Sequence, residues 1–186
     1  MKISMETKDF IDRVRYQIRY PSDLLVGNLS MEKINIVTKL VFENIKSDVY
    51  VFATGIDDYI FSEEMEDTMY NFSKGRYLLK ILFAQEIEES SLPKHFQNMI
   101  FFRKLRIFCG VENFKFESIG TNFTPKYVGY PILSGFTCVD RFFPKDEESF
   151  GTYMFKFQMK ERKLFMNFST AINNASILKS KNLSHV

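Results

Sequence analysis

Two periods alternate along the chain, one near 3.6 residues and one near two, and their order predicts a layered α/β fold. Residues 1–20 fit both. Phe10, Ile11, Val14 and Ile18 share a helix face, while Val14, Tyr16, Ile18 and Tyr20 fit an alternating strand, and Pro21 ends either one. Ser30 is a good N-cap, and Ile34, Val37, Leu40, Val41 and Ile45 then follow helical spacing, which predicts a helix over 31–45. DVYVFAT (48–54) is β-branched and aromatic and reads as a buried strand. Ser62 is expected to cap a second helix, with Glu63, Glu64 and Glu66 at its positive end, Met65, Met69 and Phe72 as its apolar stripe, and Gly75 as its stop. YLLKILFA (77–84) is a second buried strand. Ser91 and Pro93 open a third helix, whose stripe of Phe96, Met99, Ile100 and Phe102 continues toward Gly110. FKFES (114–118) alternates like a half-exposed strand, and Gly120 to Gly135 reads as loop or short hairpin. GFTCVD (135–140) and TYMFKFQM (152–159) are expected as strands around a charged turn. A closing helix is expected over 158–178, with Leu164, Phe165, Phe168, Ala171, Ile172 and Ala175 facing in.

Two buried strands separated by a capped helix form a right-handed crossover and imply parallel pairing. VYVFA and LLKILFA should therefore be adjacent parallel strands, covered on both faces because both are continuous apolar runs. The predicted fold class is α/β: a mixed, mainly parallel sheet flanked by helices on both faces. One domain is expected, with an N-terminal extension at 1–29, the α/β core at 30–178 and a frayed tail at 179–186.

Composition narrows the chemistry. The 186 residues are 45% hydrophobic and 26% charged, an ordinary globular balance. No apolar run approaches the ~20 residues of a membrane span. The first residues mix both charges, unlike a secretory signal, so a cytoplasmic location away from membranes is expected. Phenylalanine occurs 21 times and tryptophan never, but most Phe residues sit at core periodicity rather than in a stacking surface. There is no phosphate-binding glycine loop, dinucleotide fingerprint, HExxH or GxSxG, and no cofactor is expected. Cys109 and Cys138 read as buried thiols, and His95 as a polar residue near a helix start rather than a general base.

Two sets of charged residues remain. Lys94, Arg103, Lys104 and Arg106 cluster in and after the third helix, and Lys156 and Lys160 lie in a basic C-terminal stretch; these are candidates for phosphate or nucleic-acid binding, or simply solvated faces. Asp57 and Asp58 follow a buried strand and Asp140 ends a later one, an alternative acidic site for a divalent metal.

Three stretches resemble one half of the phospholipase D-like superfamily. MEKINIVTKLVFENIKSDVYVFATGI is similar to its opening helix and strand, FSEEMEDTMYNFSKGRYLLKILF to its second helix and strand, and GFTCVDRFFPKDEESFGTYMFKF to its closing hairpin. The family's signature is HxKxxxxD, in which the histidine attacks phosphorus and the lysine holds phosphate. With Asp140 as its aspartate, the histidine and lysine positions fall on Leu133 and Gly135; His95 is followed at the motif's spacing by Gln97 and Phe102. The resemblance thus implies a degenerate half-domain of phospholipase D-like fold without catalytic activity. It further implies a homodimer or a protein partner, since halves of this fold pair, and a mobile-element or defence setting in bacteria. Tyr127, Tyr130, Phe142 and Phe143 are the expected interface aromatics, because alternation can bury only about half of the late aromatic residues. The resulting expectation is a non-catalytic binding or regulatory module. The alternative is a divalent-metal-dependent phosphodiesterase or nuclease using Asp57, Asp58 or Asp140.

Overall fold

The computed structural model describes residues 5–22, 24, 26–53, 55–83, 85–109, 132–134, 137–142, 150–156, 170, 173 and 176–177. The ambiguous opening resolves as helix α1 (Met5–Arg19), because Phe10 and Val14 are buried one turn apart while Tyr16 and Tyr20 stay exposed. The segment expected to be an extension therefore contributes to the core. A strand absent from the sequence prediction, β1 (Val26–Ser30), follows it. The Ser30 side chain accepts from Lys33 N at the head of α2 (Met31–Asn44), and β2 (Val49–Ala53) comes next.

The second predicted helix begins later than expected. Ser62 caps only a short 3-10 turn over Glu63–Met65, without a side-chain bond, and α3 spans Glu66–Lys74. Strand β3 is Leu79–Phe83 and helix α4 is Lys94–Phe101. The third helix does not continue toward Gly110. It stops at Phe101, and Leu105–Cys109 is strand β4, buried at four of its five residues. Residues 132–134 of the expected loop form β5 (Ile132–Ser134). Strand β6 (Thr137–Phe142) lies two residues later than predicted at both ends, and β7 (Phe150–Met154) begins two residues before its predicted start and ends five before its predicted end. FKFES lies outside the described residues. So does most of the closing helix: Thr170 and Asn173 are helical, but Ser176–Ile177 form strand β8 rather than continuing a helix to 178.

Among the described residues eight strands make one sheet in the order β1-β7-β6-β5-β2-β3-β4-β8. VYVFA and the core of LLKILFA are parallel neighbours in register, Val51 opposite Ile81, and β4 extends that pairing with Ile81 opposite Ile107. The other five pairings are antiparallel, so the sheet is mixed with its parallel part confined to β2, β3 and β4. Val49, Val51, Ala53, Leu79, Ile81, Phe83 and Ile107 point into one core with α1–α4. Their alternates Phe52, Leu82 and Phe108 are buried as well, so both faces are covered, as strands without polar alternation require. Among the described residues no helix is long and apolar enough to cross a membrane.

This topology fixes where charges go. Strands β2, β3 and β4 run one way and α3 and α4 return. Residues just after a helix therefore sit at the sheet's amino edge, and residues just after a strand at its carboxyl edge.

Candidate functional site

At the carboxyl edge the described side chains lock rather than open. Asp58 accepts from Ile60 N and so caps the 3-10 turn Tyr59–Phe61. Its carboxylate also receives Arg141 Nη1 at 2.5 Å, with the two side chains 0% and 1% exposed. Arg141 Nη2 donates to the Phe52 carbonyl at 2.9 Å. The pairing of β2 with β5 reaches only as far as Val51 opposite Ile132, and Arg141, on the longer β6, spans to Phe52 near the end of β2. Asp58 is thus engaged by a cation of the chain itself. Asp57 is exposed, and Asp140 is a β6 residue paired with Thr152. Among the described residues no three His, Cys, Asp or Glu side chains converge as metal ligands. Around this edge Asp57, Glu63, Glu64, Glu66, Asp67, Glu86 and Glu88 are all exposed, and their field repels anions.

The amino edge is the opposite. Lys46, Lys74, Arg76, Arg103 and Lys156 are exposed there, and Lys104 is half-buried. The structure brings Arg103 and Lys104 of the sequence-derived set together with Lys74 and Arg76, which the sequence reading missed. It separates the others. Lys94 sits nine residues before Arg103, at the far end of α4, roughly 13 Å away along the helix. Arg106 is in register with Lys80, which lies beside Tyr50 on the opposite sheet face, its Nζ 3.1 Å from the phenol oxygen. Lys156 follows β7, five strand spacings or roughly 24 Å from β4. Lys160, Tyr127, Tyr130 and Phe143 lie outside the described residues; Phe142 pairs with Phe150 in β6 and β7.

Between α3 and α4 a groove of about 450 Å³ runs to this edge. Tyr70, Ser73 and Lys74 line it from α3, and His95, Asn98, Met99 and Phe102 from α4, each set at the spacing of one helix face; Lys104 closes it. Lys74 Nζ sits 3.9 Å over the Tyr70 ring, and Lys104 Nζ donates to the Gly75 carbonyl at 2.5 Å. Phe102, expected on the buried stripe, is 68% exposed, as is Phe101 at 79%. The two rings form an edge-to-face pair with centroids 5.2 Å apart.

The end of α4 explains why. Arg103 N bonds Ile100 O and Lys104 N bonds Met99 O, the paired bonds of a Schellman cap. That cap needs a left-handed residue, and Arg103 takes it at φ 58°, where glycine is usual. The turn throws Phe102 outward and aims the next residues into β4. His95 is shielded within the groove. Its Nε2 is buried without a hydrogen-bond partner, and burial lowers its pKa below 6.5 against the opposing pull of Glu66. Cys109 is a buried thiol whose pKa burial raises. Its environment is that of a structural cysteine rather than a nucleophile.

No protein-family profile and no curated protein matches the chain. Solved structures do. The phospholipase D family member Nuc from Salmonella typhimurium aligns with a TM-score of 0.55 at 11% identity, over 84% of this chain and 99% of Nuc. TrmBL2, an archaeal chromatin protein with a novel mode of DNA binding, aligns at 0.53 and 12%, over 92% of this chain and 61% of its own. Phosphatidylserine synthase from Haemophilus influenzae aligns at 0.52 and 12%, over 84% of this chain and 39% of its own. The chain thus spans less than two thirds of two of these proteins and nearly the whole of Nuc. At such identities the likeness speaks for architecture alone. The mixed sheet, its flanking helices and these alignments together show that the chain has a phospholipase D-like α/β fold.

Proposed function

We propose that this protein is a non-catalytic module that binds nucleic acid along the amino edge of its sheet. The observation carrying this reading is the convergence of Lys74, Arg76, Arg103 and Lys104 beside three exposed aromatic rings, Tyr70, Phe101 and Phe102, at the end of the molecule opposite its acidic edge. Lys74 and Lys104 also suit the negative ends of their helices. Helix dipoles do not account for Arg76 and Arg103, or for rings held in water. Cations interleaved with exposed aromatics suit a phosphate backbone with its bases. That a fold neighbour, TrmBL2, binds DNA supports the choice of partner.

The absence of catalysis rests on the position of Leu133. In the alignment of motif to sequence it stands where the family's nucleophile belongs, and it is fully buried in β5. The metal-dependent alternative is weakened by Asp58, whose carboxylate serves Arg141. A fluorescent oligonucleotide titrated at several salt concentrations tests the proposal. If the four cations each meet one phosphate, log K should fall against log salt with a slope of roughly −3 for single strands and −4 for duplex. Lys74→Glu with Arg103→Glu should abolish binding at moderate salt. Binding that ignores salt, or survives that double charge reversal, would refute the proposal.

A further inference from the structure

We infer that the groove between α3 and α4 is a pocket for a single unstacked nucleobase carrying a phosphate, so that the nucleic acid bound at the amino edge is single-stranded. This inference rests on the binding proposed above and names the form of its ligand.

The groove has the size and lining for such a guest. Its volume of about 450 Å³ falls within the range of roughly 300–1,000 Å³ typical of small-molecule sites. Its walls are chemically divided along their length. Met99 is buried and gives an apolar floor, and Phe102 and Tyr70 stand exposed at the sides, where a flat heterocycle can stack. The two ammonium groups, Lys74 and Lys104, sit together toward the amino edge, where the phosphate of the same nucleotide would lie. At the other end His95 lines the groove, and its Nε2 is buried without a hydrogen-bond partner, so a base edge meets that nitrogen once the ring turns toward the groove. An imidazole nitrogen can accept from an exocyclic amine or donate to a ring carbonyl, the groups a base edge presents.

Charge selects the orientation. Lys74 and Lys104 favour a phosphate at the amino edge, whereas at the His95 end the exposed acidic residues of the carboxyl edge, Glu66 among them, oppose the lone cation Lys94. The base therefore points inward and the phosphate outward. Duplex cannot enter in this way without flipping a base, which adds the work of unstacking and unpairing.

The test is fluorescence anisotropy on the full chain with a labelled single strand, the same sequence as duplex, and an unlabelled mononucleotide competitor. The single strand should bind at least about tenfold tighter than the duplex, because each duplex contact forfeits the stacked base. Phe102→Ala should weaken the single strand roughly 5- to 150-fold, the value of one base–aromatic stack, and Phe102→Tyr should restore it. Because Phe102 is exposed, neither change threatens folding, and the salt slope should stay that of the parent. His95→Ala should weaken the single strand and leave the duplex unaltered. Equal binding of single strand and duplex, untouched by Phe102→Ala but still steep in salt, overturns the pocket and leaves the basic edge standing. Mononucleotide that competes as well as the oligonucleotide upholds the pocket and overturns the polymer reading. No binding of any of the three overturns both.

Discussion

Replacing Arg141 with methionine should destabilise this protein far more than exchange of an exposed charged residue. Arg141 and Asp58 form an ion pair with essentially no exposure, so solvent screens nothing. The methionine keeps much of the volume but leaves the Asp58 carboxylate buried without its cation and removes the donor that Arg141 gives Phe52 O. Breaking a buried pair from one side costs about 3–5 kcal/mol. The whole stability of a domain is only about 5–15 kcal/mol. Asp58→Asn should cost a similar amount by stranding the guanidinium. The double variant, with neither charge, should be more stable than the sum of the two losses by about 0.5–3 kcal/mol. Urea unfolding, with the slope of the transition held as a control on the denatured state, measures all four corners of the cycle. Two single losses under about 1 kcal/mol, of the size of ordinary surface changes, would refute the reasoning, as would simple additivity. The same physics bears on enzymology: loss of any activity in Asp58→Ala would report unfolding, whereas exposed Asp57 can be changed without that ambiguity.

Three further outcomes are expected. Arg103→Gly should raise stability by up to about 1 kcal/mol, because glycine fits the left-handed cap, while reducing the salt slope of nucleic-acid binding by about 1; calorimetry and titration should move in opposite directions. His95 has its pKa lowered by burial, so as pH falls below 6.5 the unfolded chain takes up the proton first, and stability is complete above that value and declines toward the lowered folded pKa; His95→Gln should flatten the decline, and an unchanged profile of urea midpoints would contradict it. Self-association through the C-terminal half, including Phe142, is expected from the pairing habit of phospholipase D-like halves; sedimentation at micromolar concentration checks it, and a strict monomer that co-purifies with nothing would count against it.

The sequence was most legible where burial was two-sided. VYVFA and LLKILFA carry no polar alternation to confuse the reading, and their parallel register followed from the helix between them. LRIFC was hidden because Ile107, eleven residues and about three turns beyond Phe96, continues at helical spacing the stripe of Phe96 and Ile100. Only the left-handed Arg103, which nothing in the one-dimensional pattern marks, breaks that continuity. Lys74 and Arg76 could have been found. Residues flanking the Gly75 stop of a crossover helix must lie where the next strand begins, as Arg103 and Lys104 do. Arg141 also left a signal, since a cation between Val139 and Phe142 in a strand must meet an anion or disrupt the sheet. Its partner, 83 positions away, is a matter of tertiary structure.

The sheet order also dictates the timing of assembly. Strands β2, β3 and β4 lie within Val49–Cys109 and meet through short crossovers, so they can assemble early. Strand β1 cannot. It pairs with β7, Val26 opposite Tyr153, and closing so long a loop carries an entropic cost that is met only when the hairpin of β6 and β7 is in place. A chain emerging from the ribosome therefore holds an open β-edge until β7 has been made, a hazard for misassociation. Cuts that remove β7 should leave β1 with no place in the sheet, whereas the slow phase of refolding should respond to substitutions at the β1–β7 seam and ignore those between β2 and β3.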